Sequence, residues 1–342
     1  GYAVSGPDVT PTFARLFPGG SLDTSFGVSG VATFGGGYAY DTIATNGMLV
    51  SAVTVPAGAE VSRLLTSGSP DTSFGPGGGV ITADGSAARG IVAAVGGGYV
   101  VSGVTGTALG FSAMLRGYTS AGAVDATFAS NGTATFTRSG FTGIGFAIGS
   151  GPGSTYVQAG ALLSTSGALV YPFVARWLAN GTPDPSFGSG GFVVDTSSSG
   201  VEWLDLAVQS DGKVPVAGTD TTTHSGVLRR YDASGATDTG FGSGGDVLGS
   251  TIPEKVVIAP DGSILTDSLD GLTFRVDRFL PDGSPDVTFG TGGTVRFTFQ
   301  NIAIDTPIAL GIDADGKILV GGAVETPGND SKITWAVIRF LP

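Results

Sequence analysis

Six short segments follow one pattern: Leu22 to Gly27, Pro70 to Gly75, Val124 to Ala129, Pro183 to Gly188, Thr237 to Gly242 and Pro285 to Gly290. Their aromatic residue, Phe26, Phe74, Phe128, Phe187, Phe241 or Phe289, returns at intervals of 48, 54, 59, 54 and 48 residues. A period of about 50 residues marks a supersecondary unit that cannot bury its own apolar face and must stack on copies of itself. The repeat also sorts residues. A side chain present in every copy is expected to hold the architecture, whereas one present in a single copy is free to carry function.

Each copy has the same internal order. From Val276 the chain reads as a strand ending in Arg278-Phe279-Leu280, a turn at Pro281-Asp282-Gly283, the Phe289 segment and a short strand at Gly293 to Phe297. An apolar strand at Pro307 to Ile312, a turn at Ala314-Asp315-Gly316 and a strand at Lys317 to Val320 follow. Asn46-Gly47, Gly97-Gly98, Asp211-Gly212, Asp261-Gly262 and Asp315-Gly316 supply the positive φ of hairpin turns, so each unit is predicted to be an antiparallel meander of four short strands. Such a sheet has two apolar faces, and a ring of sheets lets each cover its neighbour. The expected fold is therefore an all-β propeller of four-stranded blades, in a single domain spanning 1 to 342. A parallel solenoid is the competing arrangement, but its coils are shorter and rarely hold a hairpin.

Composition agrees. There are 60 glycines, only four Glu and four Lys, and 13% charged residues, which leaves little to fill helices. No apolar run reaches the roughly 20 residues of a membrane-spanning helix. The net charge of −12 opposes binding to nucleic acid. Arg15, Arg63, Arg116, Arg176, Arg230, Arg278 and Arg339 are read as one repeated position, which spreads the basic residues and forms no basic patch. The absence of cysteine excludes disulfides, thiolate metal sites and a thiol nucleophile. A Gly/Ser/Thr-rich, Lys-poor chain that starts at Gly1 reads as exported and processed, and the expected location is extracellular or at the cell surface.

An Arg-bearing strand, a Pro-Asp-Gly turn, an LDxSFG segment and a strand ending in DGKILVGG together resemble the bacterial delta-60 repeat, and more loosely the NHL propeller repeat. The likeness covers nearly the whole chain, and is weakest where Ala129 replaces Gly and Gly240 replaces Ser. It implies a propeller of large exported or surface proteins. It implies no catalytic residue, and no cofactor is expected.

The recurrent Phe is expected to wedge between neighbouring sheets. The Asp three residues before it either accepts backbone N–H groups of its own loop or pairs with the strand Arg. At the N-terminus, strands containing Ala3, Val4 and Phe13, Arg15, Phe17 form a surplus hairpin, residues 1–18. The count favours seven blades with one incomplete, and six are possible. Unpaired edges at these strands suggest head-to-tail association with a second copy. Trimming of a longer chain is the plain alternative.

Function is expected in the irregular loops. His224 is the only histidine; a general base is one reading and an exposed loop residue the commoner one. Trp203 with Glu202 and Tyr38, Tyr40 or Tyr171 is either a platform for sugar rings or, for the Trp, a core residue. Trp177 and Trp335 read as packing. Asp313-Ala314-Asp315-Gly316 starts like a calcium loop but lacks the later ligands, so weak calcium binding by acidic loops is the most it suggests. No metal site or catalytic group is assigned. Two functions are carried forward: a non-catalytic structural or adhesive propeller with itself or a surface protein or polysaccharide as partner, and a carbohydrate-binding or carbohydrate-active one.

Overall fold

The structure is a computed structural model that describes all residues except 1–2, 6–7, 34–35, 108–109, 168, 272, 299–304, 326–332 and 341–342. The side chains of Ala3, Val4 and Trp335 and the loop 326–332 lie outside the described residues. Two compact units divide the chain, residues 1–150 with 177–182 and residues 151–176 with 183–342.

The first unit contains two four-stranded blades, each an antiparallel meander in chain order. The first blade runs through Tyr38–Thr45, Met48–Val55, Gly58–Leu64 and Gly79–Thr82. The second comprises Ala87–Ala93, Gly98–Thr107, Gly110–Thr119 and Thr133–Phe136. A third is made of Phe141–Gly151, Thr155–Ser164, Val170–Trp177 and Phe192–Val194. In the second unit a fourth blade (Val201–Leu206, Val214–Asp220, Ser225–Tyr231, Asp246–Gly249) precedes a fifth (Pro253–Ile258, Ile264–Asp270, Thr273–Phe279, Thr294–Phe297). A sixth has three strands, Asp305–Ile312, Ile318–Glu325 and Ile333–Phe340.

The fold class is thus all-β, built of antiparallel propeller blades, and of the two counts open from sequence the described strands make six. The surplus N-terminal hairpin takes a different form from the expected one. Ala3–Ser5 pairs with Asp8–Thr10, while Thr12–Ala14 pairs with Val31–Thr33 as the third strand pairs with the fourth in a full blade. Among the described residues only two-stranded sheets result at this end.

One motif joins blade to blade within each unit. Asp71 accepts from the Ser73 amide and hydroxyl at Oδ1 and from Arg63 Nε at Oδ2, so both readings of this Asp hold at once. Asp23 and Asp184 repeat the arrangement with Arg15 and Arg176. The guanidinium lies over the Phe of its own repeat, at 4.4 Å for Arg63 over Phe74 and 4.5 Å for Arg230 over Phe241. It also donates to a carbonyl in the turn of the next repeat, as Arg63 does to Ser120 at 2.7 Å and Arg176 to Ala233 at 2.6 Å. The Phe packs under that same turn. A Cβ on Gly283, at φ +85°, would meet the Gly242 nitrogen at 2.7 Å and the Phe241 ring at 2.9 Å, so only glycine fits there. Each wedged Phe is nearly or fully buried and contributes about 2 kcal/mol.

Arg116 corrects the expected register. It precedes the repeated position by one residue, and the position itself, eight before Asp125, is Gly117. The Phe128 ring fills that space, with its Cβ 2.7 Å from where a Gly117 side chain would begin. Arg116 therefore lies on the opposite face of its strand and bonds Asp84 and Ser86.

The turns are also more varied than expected. Asn46 and Gly47, both at positive φ, make a two-residue hairpin between Thr45 and Met48. The Asp-Gly turns are longer: Ala259 bonds Ser263 across the turn, and Asp261 accepts the Ser263 amide. Asp313 uses its carboxylate in the same way on Asp315 and Lys317 and binds Arg339, so its loop is a closed turn.

Candidate functional site

In the first, second, fourth, fifth and sixth blades the first strand carries a bulge, and the residue paired just after it points to chemistry. In the first and fourth blades that residue is aspartate. Asp41 accepts the Ile91 amide of the next blade at 3.0 Å, and Asp205 accepts the Val256 amide at 2.9 Å. In the fifth blade it is Lys255, and Glu254 occupies the bulge itself.

Across the sheet, the partner of this position is small in the other blades where the register is recorded: Ala52, Ser102, Ala217 and Gly321. In the fifth blade it is Asp267. Asp267 is 1% exposed; Oδ1 accepts the Lys255 amide at 2.8 Å, and Oδ2 has no hydrogen-bond partner among the described residues. Burial pushes its pKa up to about 7; the nearby positive charge of Lys255 and its amide oppose this, and the negative charges of Asp205 and Glu254 add to it. Burial also raises the Glu254 carboxyl, with Lys255 lowering it and Asp205 raising it further. Asp205, Glu254, Lys255 and Asp267 are thus one electrostatically coupled group on the first two strands of the fifth blade and the first of the fourth. Sequence reasoning missed it, although aligning the repeats on their second strand would have shown a carboxylate where alanine, serine and glycine stand.

The residues singled out from sequence lie apart. Trp203 is fully buried, edge-on to Tyr231 at 6.4 Å with Arg229 over its ring, so no face is open to a sugar. Glu202 is half-buried, and burial raises its pKa. His224 is exposed in the turn between Val214–Asp220 and Ser225–Tyr231, at φ 55°. Tyr171 lies half-buried on a strand of the third blade. Trp177 is buried. In the first unit Tyr38 and Tyr40 do come together, with ring centroids 6.4 Å apart; Tyr38 is 55% exposed, and Arg89 lies 4.2 Å over the Tyr40 ring. At the N-terminus Phe13 is buried against Phe26, Arg15 pairs with Asp23, and Phe17 is exposed. Among the described residues no three His, Asp or Glu converge in a cluster fit to hold a metal ion, and no helix is long and apolar enough to cross a membrane.

The architecture and this scatter of sites define a β-propeller protein. A family described as a β-propeller domain of unknown function, DUF5122, matches residues 209–241, one blade-to-blade junction of the fourth repeat. Among solved structures, a polysaccharide lyase, Uly1, is similar at 10% identity with a TM-score of 0.52, over 99% of this chain and 89% of that one. Sqt1 from Chaetomium thermophilum, bound to the N-terminus of ribosomal protein L10, is similar at 12% identity with a TM-score of 0.50, over 97% and 78%. At such identities the likeness is one of fold alone. No curated protein matches the chain.

Proposed function

We propose that this chain is a non-catalytic structural or adhesive module of the cell surface or extracellular space that joins to further copies of itself through incomplete sheets. One observation carries the reading: among the described residues the sheet of Thr12–Ala14 and Val31–Thr33 has two strands and the sheet of Asp305–Ile312, Ile318–Glu325 and Ile333–Phe340 has three, where a full blade has four. Unpaired strand edges are templates for strands of another molecule, and contacts between unlike surfaces of one protein propagate into filaments unless they close. The recurrent residues point the same way, because Arg15, Arg63, Arg176 and Arg230 each bond a carbonyl of the next repeat and so are engaged in joining blades. The resemblance to delta-60 repeats supports a surface location.

Sedimentation and negative-stain microscopy at micromolar concentration test it. Concentration-dependent oligomers that disappear on deleting residues 1–18 are the expected result. A monomer at every concentration, unchanged by the deletion, would overturn it.

The carbohydrate-binding reading is favoured by a separate observation, the exposed Tyr38–Tyr40 pair flanked by Arg89. Offset aromatic faces beside a cation suit sugar C–H faces and hydroxyls. A glycan array with the intact chain and Tyr38→Ala decides it: binding lost in the variant supports the platform, and no binding, or binding that Tyr38→Ala leaves intact, removes it.

A further inference from the structure

A crevice of about 200 Å³ opens between the fourth and fifth blades, walled by Leu228, Val247 and Gly249 on one side and Thr266, Asp277 and Phe279 on the other. Two comparable positions elsewhere in the chain are closed by the protein itself. In the second blade Arg116 reaches the loop before it, with Nη2 on Asp84 at 2.6 Å and Nη1 on the Ser86 hydroxyl at 2.9 Å. In the fourth, Arg229 binds Asp195 of the preceding loop at 2.5 Å and Asp246 at 2.6 Å. Each time a loop carboxylate meets a strand guanidinium.

Counted from the repeated Phe, Asp84 stands ten residues on and Asp195 eight. The residues at those offsets after Phe241 are Thr251 and Gly249, and both line the crevice. The loop Gly249-Ser250-Thr251-Ile252 has no carboxylate. The guanidinium is nevertheless there. Arg275, on the third strand of the fifth blade, lines the crevice two residues before Asp277, the counterpart of Arg229. Arg275 donates to Asp277 through Nη2 at 2.8 Å, and Asp277 also accepts the Thr294 hydroxyl; Nε lies 2.7 Å from Asp277 as an ion pair but makes no hydrogen bond, and no partner for Nη1 is found among the described residues.

A second observation is independent of the first. Arg275 pairs in register with Arg296, so two like charges stand directly opposite on one face of the sheet. Such a pair is unfavourable unless anions compensate it. Among the described residues Arg296 has only a 3.4 Å contact to the exposed Asp270.

We propose that this crevice binds a small carboxylate ligand, whose carboxylate takes on Arg275 the place that Asp84 and Asp195 take on Arg116 and Arg229. Leu228, Val247 and Phe279 face the carbon skeleton, and Thr251 and Thr266 offer hydroxyls to its polar groups. At about 30 Å³ per water displaced, the volume suits a single sugar acid or amino-acid unit. The carboxylate is common to uronic acids and acidic amino acids, and the inference does not depend on self-assembly.

The test is a titration of methyl-labelled protein by NMR with glucuronate, N-acetylaspartate and, as the uncharged control, glucose. Saturable shifts of Leu228, Val247 and Leu248 with at least one acid at millimolar concentration, and none with glucose, are expected; which acid saturates identifies the source. Arg275→Gln should weaken binding about 10-fold or more, the loss of a charge-assisted hydrogen bond. Thr251→Asp, which restores the internal carboxylate, should abolish binding in a protein whose remaining spectrum is unchanged. No saturable shift with either acid, equal shifts with glucose, or binding indifferent to both substitutions would each overturn the proposal.

Discussion

The fourth and fifth blades share a scaffold and differ in what is set into it. Both present an Arg, Arg230 or Arg278, paired to the Asp three before the repeated Phe, and both pack that Phe beneath a guanidinium. In the fourth blade the facing third-strand position is Arg229, tied to Asp195 and Asp246, and the small residue opposite the bulge is Ala217. The fifth has Asp277 and Asp267 at these places. A self-sealed blade thereby stands next to one with an open crevice and a buried carboxyl. The shared positions hold the fold, and the positions where the two depart are those on which function can act.

The largest expected effect falls on what the two share. Phe241→Ala, at a fully buried wedge, should cost about 3–5 kcal/mol in urea unfolding, and Phe289→Ala a similar amount. A loss below about 1 kcal/mol at either would show that the motif does not join blades.

Next comes Asp267. Its carboxyl holds a proton in the folded protein up to about pH 7, but in the unfolded chain only to the ordinary value of 3.8. The unfolded state therefore binds fewer protons in this window, and stability should fall as pH rises from about 4 through 7, by about 1.4 kcal/mol per unit from this group. Asp267→Ala, which copies Ala217, should remove that slope and leave the variant more stable than the parent at pH 8. Carboxylates such as Asp71 and Asp238, lowered below the ordinary value, act in the opposite sense and lose their contribution only as the pH falls below about 4.

Arg229→Ala should cost roughly 2–3 kcal/mol, since it strands two partly buried carboxylates. The same substitution at Arg275 should cost less, because only Asp277 loses a partner and Thr294 still donates to it. The smallest effect is expected at Arg296→Ala, whose exposed pair with Asp270 should change stability by less than about 0.5 kcal/mol.

How much of this could be read in the sequence follows from the physics of each feature. The meander, its turns and the wedged Phe were legible because glycine at positive φ and a periodic aromatic leave marks that do not depend on neighbours. The two roles of Asp71 were legible only as alternatives; that one carboxylate fills both, one oxygen to the loop and the other to the Arg, the structure adds. Arg116 was misplaced because residue type outweighed count: eight residues before Asp125 stands a glycine, and the side chain that fills its space comes from Phe128. Asp267 was hidden because it stands out only when the second strands of the repeats are set side by side, where the other blades hold Ala52, Ser102, Ala217 and Gly321. The crevice was hidden for a different reason. It arises where a loop carboxylate is absent and two arginines meet in register, and neither is visible along a single strand.

A carboxyl-detected NMR titration that follows Asp238 and Asp267 in one sample tests most directly the claim that the fifth blade departs from a common scaffold. Asp238 should titrate below 3.8 and Asp267 near 7. Two midpoints near the ordinary carboxylate value would contradict it.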